Sequence, residues 1–332
     1  MKKKRGNNNE KNTILTIFSI VCIFSTNVLF GADKFTNKIL AKVGKETILL
    51  TEFNDLTLPI IEQYKKERPD LLANGGEEKL KEDMLNQMID ERVLLLEARK
   101  NKVSVTKVAI DKAVNEIKDR FKTEDEFQAE LKKSNLKEVD FRKQIEKNLM
   151  ISSFIDNFVK SKVVAPTDEE AKKYYNEHPS EMIVPETVRV RHILMKTVGK
   201  KNLDVLNKMR ELRAKIVKDK TKFFSDYAME YSEDETTKEN GGDTGLFTRG
   251  RMELKAFEDK AFSLNVGQIS DVFETKLGYH IMKCEEKKAE EKRSFNNAKN
   301  SIKGFLYNVK IDEELKKVLE NAKKNIEIVK NI

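Results

Sequence analysis

Four of the chain's 13 glycines fall within ten residues, in the stretch "GGDTGLFTRG" from Gly241 to Gly250, and such a cluster raises the question of a phosphate cradle. A Walker loop needs Gly-x4-Gly-Lys followed by Ser or Thr, and a dinucleotide loop needs Gly-x-Gly-x-x-Gly between a strand and a helix. Glycines at 241, 242, 245 and 250 fit neither spacing, and Asp243 sets a negative charge where a phosphate would lie. Nucleotide chemistry is therefore disfavoured, and the glycines read as turn residues that supply positive φ. Other chemistry-bearing residues are few. Beyond Cys22 near the N-terminus there is one cysteine, Cys284, and a single thiol reads first as a small buried hydrophobe. The three histidines are His178, His192 and His280.

The elements that must hold these residues are legible from periodicity. "TVRVRHILM", Thr187 to Met195, alternates as a strand and carries His192; Tyr279 to Cys284 reads as another and carries His280. A further strand is expected over Ile269 to Phe273. Helical spacing runs from Leu203 to Val217, Phe223 to Tyr231 and Glu253 to Phe262. Strands separated by helices make this second domain α/β.

Upstream the pattern changes. Residues 38 to 53 alternate about a Gly44-Lys45 turn, as a hairpin would. A long helix follows, with Leu80, Met84, Met88, Leu85, Ile89, Val93 and Leu96 on one broad apolar face, then a second through Ile110, Val114, Ile117 and Phe121. Capping boxes at Thr123 to Glu126 and Asn135 to Glu138 predict two more, the latter turning Phe141, Ile145 and Leu149 inward. Val163 to Pro166 breaks the run, and Thr167 to Glu170 caps a helix ending near His178-Pro179. A last helical run from Phe295 to Lys324 is too long for a tail and is expected to pack on the first domain.

Composition narrows the class. A 332-residue chain with 39% hydrophobic and 36% charged residues, five prolines and no tryptophan has material for two helix-rich domains. Residues 1 to 32 have a basic start, an apolar stretch from Ile14 to Phe30 and small Gly31 and Ala32, the plan of a secretory signal peptide. The alternative is an uncleaved anchor, and either one exports the rest. Cys22 is not preceded by the small residue that lipidation favours. That segment holds five basic residues and one acid, so without it 59 basic face 55 acidic side chains and net charge drops from +8 to +4. Half of the basicity is targeting signal, and the rest reads as solvated helix faces without a nucleic-acid footprint.

Five blocks, "RVRHILMK" at 189, "YSED" at 231, "GGDTGLFTRGRM" at 241, "AFEDKAFSLNVGQIS" at 256 and "GYHIMK" at 278, occur in the order and approximate spacing of a parvulin-type peptidyl-prolyl isomerase domain. They cover about 100 residues. The helical region, including "MLNQMIDERVLLLEARKNKVSVT" from Met84, and the long C-terminal helix resemble the SurA and PrsA class of exported foldases. The resemblance implies an α+β protein: a signal peptide or anchor over 1–32, a SurA-N-like helical chaperone domain with a small hairpin over 33–166, a linker over 167–185, a parvulin domain with a four-stranded, mostly antiparallel sheet over 186–286, and a C-terminal helix over 287–332 packing on the N-terminal domain.

It also implies roles. His192 and His280 are the paired core histidines, Asp234 stands where relatives carry Asp or Cys, and Phe247, Met252 and Phe257 form the proline pocket. Thr244 replaces a pocket leucine of the family's Gly-Gly-Asp-Leu-Gly, a loss of apolar contact of about 1 kcal/mol, and Lys255 is an extra residue before Phe257. A modest turnover is the expectation. No metal, nucleophile or cofactor is implied. Strand parity agrees that both rings face apolar surroundings, since His192 shares its face with Val188, Val190 and Leu194, and His280 with Met282 and Cys284. His178 reads as surface. Lys196, Lys200 and Lys201 in a lysine-rich chain do not imply a phosphate requirement before proline. The implied function is an exported isomerase and chaperone acting on unfolded or partly folded polypeptides with X-Pro bonds in the periplasm or cell envelope, without nucleic acid and touching the membrane only through an uncleaved N-terminus. The alternative is a holdase whose parvulin domain is inactive.

Overall fold

The computed structural model describes residues 38–134, 136–198 and 202–331. The chain opens with strands β1 (Ile39–Val43) and β2 (Glu46–Leu49), joined by a turn in which Gly44 takes a φ of +56°. Helices α1 (Leu50–Glu67), α2 (Pro69–Leu72), α3 (Gly76–Lys100), α4 (Lys107–Lys118), α5 (Glu124–Lys133) and α6 (Glu138–Phe154) follow, and α6 runs on into a π turn over Ile155–Val159. Next come α7 (Asp168–Glu177), β3 (Ile183–Val184), β4 (Thr187–Lys196), α8 (Asn202–Lys218) and α9 (Phe224–Tyr231). Strand β5 (Asp243–Thr248), helix α10 (Lys255–Ser263), and strands β6 (Phe273–Thr275), β7 (Gly278–Lys288) and β8 (Glu291–Lys292) complete the central part. Helix α11 (Phe295–Lys323) and β9 (Ile328–Lys330) end the described chain. None of the described helices is long and apolar enough to cross a membrane.

Two compact units result, one from the described residues up to Asp168 together with those from Ser301 onward, the other from Glu169 to Asn300. The first is helical, with a three-stranded sheet ordered β2-β1-β9. Its main core joins Leu85, Ile89, Val93, Leu94, Leu95 and Ala98 of α3 to Ile151 and Phe154 of α6 and to Ile311, Leu315 and Leu319 of α11. A satellite core joins Val114 and Ile117 of α4, Phe127 and Leu131 of α5, and Phe141 and Ile145 of α6. Phe127 sits at its centre, edge-on to Phe121 at 5.6 Å and to Phe141 at 5.5 Å.

Several local expectations need correction. The hairpin stops at Leu49, because Leu50 to Phe53 turn an apolar face inward as the start of α1. Phe121 lies beyond the end of α4 at Lys118, so it reaches the core from the following turn. At Thr123 half of the expected box is present: the Thr123 hydroxyl accepts from Glu126 N, but the Glu126 carboxylate takes Lys122 N instead of closing on Thr123. Lys137 caps α6 without a side-chain bond, and Asn135, Lys200, Lys201 and the signal-peptide segment 1–32 lie outside the described residues. The hairpin also gains a partner that alternation at one end of the chain cannot reveal. β9 pairs antiparallel with β1, Lys42 opposite Val329.

The second unit is built on a four-stranded sheet ordered β5-β4-β7-β6, antiparallel at every pairing. Its fourth strand is β5, within the glycine stretch. The strand expected at Ile269 to Phe273 is displaced: Ile269 makes one bridge to Lys283 and the ladder begins at Phe273. One face of the sheet, through Ile193, Tyr279 and Ile281, packs on Val205, Met209, Leu212 and Ile216 of α8 and on Phe224, Tyr227 and Ala228 of α9. The other face, through Val188, Val190, Met282 and Cys284, packs on Phe257, Ala261 and Phe262 of α10.

Leu315 is 1% exposed in the main core of the first unit. Leu315→Ala should lower the stability of that unit by about 3 kcal/mol, the usual cost of an incompletely filled aliphatic site, read by urea unfolding followed at the amide signals of β1 and α3.

Candidate active site

β4 and β7 pair over their full lengths, with His192 opposite Met282 and Leu194 opposite His280. The two histidines are thus diagonal neighbours on one face. That face is the one covered by α10, as parity predicts. The rings stack 5.8 Å apart at 24°. Phe257 sets its edge against both, at 5.0 Å from His192 and 5.6 Å from His280, and Phe273 stacks on His280 at 5.4 Å. Only 5% of His192 and 1% of His280 reaches solvent.

Asp234 arrives from another direction. The chain leaving α9 is stitched alongside β4 by three contacts: Leu194 N donates to Ser232 Oγ at 3.2 Å, Glu233 N donates to Leu194 O at 2.7 Å, and Lys196 N donates to the Glu233 carboxylate at 2.7 Å. The next residue is delivered to His192, with Asp234 Oδ2 2.9 Å from His192 Nε2. A carboxylate only accepts, so the proton of the imidazole is assigned to Nε2. Thr236 donates to Oδ1 from its backbone N at 3.1 Å and its hydroxyl at 2.7 Å. The Thr237 hydroxyl donates to Oδ2 at 2.9 Å and also stands 2.9 Å from His192 Nε2. The His192 bond first, then the donors of Thr236 and Thr237, hold the Asp234 carboxyl well below the usual carboxylate range. It is an ionised group on the rim of a dry aromatic floor.

His280 behaves oppositely. Burial, then the neighbouring His192, pushes its pKa down to about 3, so the ring is neutral in the folded protein. Its Nε2 lies 2.8 Å from the Thr275 hydroxyl, which accepts from Leu277 N.

The glycine stretch is fastened to the same place. Gly242 O accepts from His192 N at 2.9 Å, and Thr237 O accepts from Gly242 N at 2.9 Å and Asn240 N at 3.0 Å. Gly242 has φ +74°, and a Cβ there would lie 2.2 Å from His192 O, so glycine is required. Asp243, which argues against a phosphate loop, receives both guanidinium groups of Arg189 and Arg191 and the Gly245 N, and its pKa falls to about 2, the Arg189 bond contributing most.

Thr244 sits at an irregularity where β5 sets two residues, Thr244 and Gly245, against the single Val190 of β4, between the pairs Arg189–Leu246 and Arg191–Asp243. Its hydroxyl donates to Val190 O at 3.1 Å and faces Val190 N at 3.4 Å, serving the backbone where the ladder is interrupted. Phe247 is buried edge-on to Phe262 at 5.6 Å, and Met252 packs half-buried against the same cluster as Phe257. Loop 250–252 hangs on Glu258 in the first turn of α10, whose Oε2 accepts from Gly250 N at 2.8 Å and Met252 N at 3.3 Å. Lys255 is the first residue of that helix.

The structure therefore brings His192, Asp234 and His280 together with Phe257, and sets Phe247 and Met252 in the same apolar cluster. Thr237, Thr275, Phe273 and Glu258 join them, with no role implied by the sequence blocks. Of these, Thr237 carries a signal in its place three residues after Asp234, the reach of a hydroxyl to a carboxylate across one turn. His178 is not plain surface: it is half-buried, stacked on Tyr174 at 3.9 Å, with Nδ1 donating to Tyr174 O. Among the described residues no group of three or more His, Cys, Asp or Glu is arranged to hold a metal ion.

Comparison with known proteins assigns both parts of the chain to domain families. Residues 173–288 match the family described as PPIC-type PPIASE domain, and residues 5–155 match the SurA-like N-terminal domain. The chain is 30% identical to Foldase protein PrsA of Clostridium acetobutylicum, over 96% of this chain and 95% of that one. It is 31% identical to Foldase protein PrsA of Caldanaerobacter subterraneus, over 90% and 89% respectively. Among solved structures it is similar to a peptidylprolyl isomerase (PrsA) from Bacillus anthracis, 29% identical over 73% of this chain and 96% of that one, with a TM-score of 0.28.

The neutral His280 has a pH signature. Its folded pKa of about 3 lies below the ordinary 6.5. Between these values the unfolded chain holds the extra proton, so the contribution is intact above about pH 6.5 and is lost as pH falls toward 3. The slope from one such group approaches about 1.4 kcal/mol per pH unit. Urea unfolding followed at β4 and β7 amides between pH 6.5 and 4.5 should show a steeper loss for the parent than for His280→Phe.

Proposed function

Because the chain belongs to the family of PrsA foldases and carries a PPIC-type peptidyl-prolyl isomerase domain, we propose that an X-Pro bond turns against the floor formed by His192, His280 and Phe257, with Asp234 beside it. The observation that carries this reading is the 2.9 Å contact of an ionised Asp234 with His192 on an otherwise apolar, aromatic surface. The protein is a peptidyl-prolyl cis-trans isomerase and foldase with a SurA-like helical unit.

Rotation about the bond costs about 20 kcal/mol because amide resonance is lost, and no bond is broken. The planar amide carries negative charge on its oxygen and has no free pair on nitrogen; the twisted amide has less of the first and regains the second. A carboxylate near the carbonyl oxygen therefore disfavours the planar form, and fixed polar groups in a dry site favour the twisted one without reorganising. Phe247, Met252 and Phe257 take the proline ring. Thr244, with its hydroxyl committed to Val190, offers a methyl group where a longer aliphatic side chain buries more, and the expected result is modest turnover.

The clients are unfolded or partly folded exported polypeptides, gripped by the helical first unit and presented through their X-Pro bonds. Residues 1–32 direct export, as a cleaved signal or as an anchor, to the periplasm or cell envelope. Thr244 is also the observation that favours the second reading, a holdase whose isomerase domain has fallen silent.

A protease-coupled assay on a proline tetrapeptide, run on the full chain without residues 1–32, separates the two. His192→Ala and Asp234→Ala should each lower kcat/KM at least tenfold, while suppression of client aggregation is unchanged. Unaltered cis-to-trans kinetics in both variants would sink the isomerase assignment of this site and leave the holdase.

A further inference from the structure

Thr237 Oγ1, Asp234 Oδ2 and His192 Nε2 form a closed triangle, each pair 2.9 Å apart. Two protons serve its three edges. The hydroxyl proton goes to the carboxylate, and the Nε2 proton is shared between Oδ2 and Oγ1, because the carboxylate has none to give. The three groups are unequally held elsewhere. Asp234 is fixed through Oδ1 by two bonds to Thr236. His192 has no such second anchor: its Nδ1 is buried without a hydrogen-bond partner. Thr237 and Asp234 thus supply all the polar contact its ring makes among the described residues.

Thr237 is also tied to the backbone of β4. Its carbonyl accepts from Gly242 N, and Gly242 O accepts from His192 N. One residue therefore connects the imidazole, the carboxylate and the glycine turn. Its backbone bonds do not involve the hydroxyl and survive its removal.

We propose that Thr237 is a positioning residue of the isomerase, its hydroxyl holding the His192 ring and Asp234 Oδ2 in one plane. It acts through those two groups and touches neither the proline pocket nor the substrate. The proposal rests on the reading of His192 and Asp234 given above.

The test uses the same coupled assay on the full chain without residues 1–32. Thr237→Val, matched in shape, should lower kcat about tenfold and leave KM within twofold, because the pocket of Phe247, Met252 and Phe257 is untouched. Thr237→Ser restores the hydroxyl and should bring kcat back to within twofold of the parent. Placed on Asp234→Ala, Thr237→Val should lower kcat by clearly less than it does alone, because one of the two groups it positions is already gone. Amide spectra of β4 report whether the variant is folded; should valine unfold the unit, Thr237→Ala is read in its place against the same expectations. The proposal is overturned if the hydroxyl-free variant keeps kcat within twofold while His192→Ala and Asp234→Ala lose it, a result that leaves the site itself standing. A loss that adds fully to that of Asp234→Ala, or a rise in KM without a fall in kcat, overturns it as well. If His192→Ala and Asp234→Ala are themselves silent, the underlying site reading is what has failed.

Discussion

The ladder between β4 and β7 is the constraint on which the second unit depends. Ten residues of β4 pair with β7, and the period of two sends alternate side chains to two different cores. One face holds α8 and α9; the other holds α10 and both histidines. A slip of one residue would move His192 and His280 to the wrong face and bring Arg191 and Lys283 into the aromatic cluster. The register is pinned from outside the ladder too, since Ser232, Glu233 and Gly242 each bond to a backbone group of β4.

Carboxylates do much of the fastening. Asp234 accepts four hydrogen bonds around the site, Asp243 gathers two arginines and a backbone N–H, and Glu258 holds loop 250–252. Each is lowered in pKa by the donors it receives, so each stays charged where a lone carboxylate would be costly. His280 solves the same problem by staying neutral. The site therefore juxtaposes one anion held charged by the donors it receives with one ring kept neutral chiefly by its burial.

Much of this was legible in the order of residues. The alternation about His192 and His280 exposed their common apolar face, and five short blocks identified the isomerase domain and its α+β class. Less visible was anything that depends on one hydrogen bond between distant segments. β5 was hidden because "DTGLFT" holds a glycine and an irregularity instead of clean alternation. β9 was hidden because three residues have no period of their own and form a strand only against β1. Thr237 was half visible: its place three residues after Asp234 puts its hydroxyl within reach of the carboxylate, but the bond of its carbonyl to Gly242 N has no signal in spacing. At Thr244 the sequence displays the missing leucine, but not the hydroxyl's bond to Val190 O at the irregularity of β5.

The pairing of β9 with β1 has a bearing on the order of assembly. Residues 41–43 are synthesised long before their partners at 328–330. Until then β1 keeps one edge unpaired, and the core around α3 lacks the side chains of α11. The Glu169–Asn300 unit, by contrast, is contiguous and contains all of its own ladder. The catalytic part is thus able to close while the helical part still waits for its final strand, so a foldase of this design is, for a time, itself an incompletely folded emerging chain.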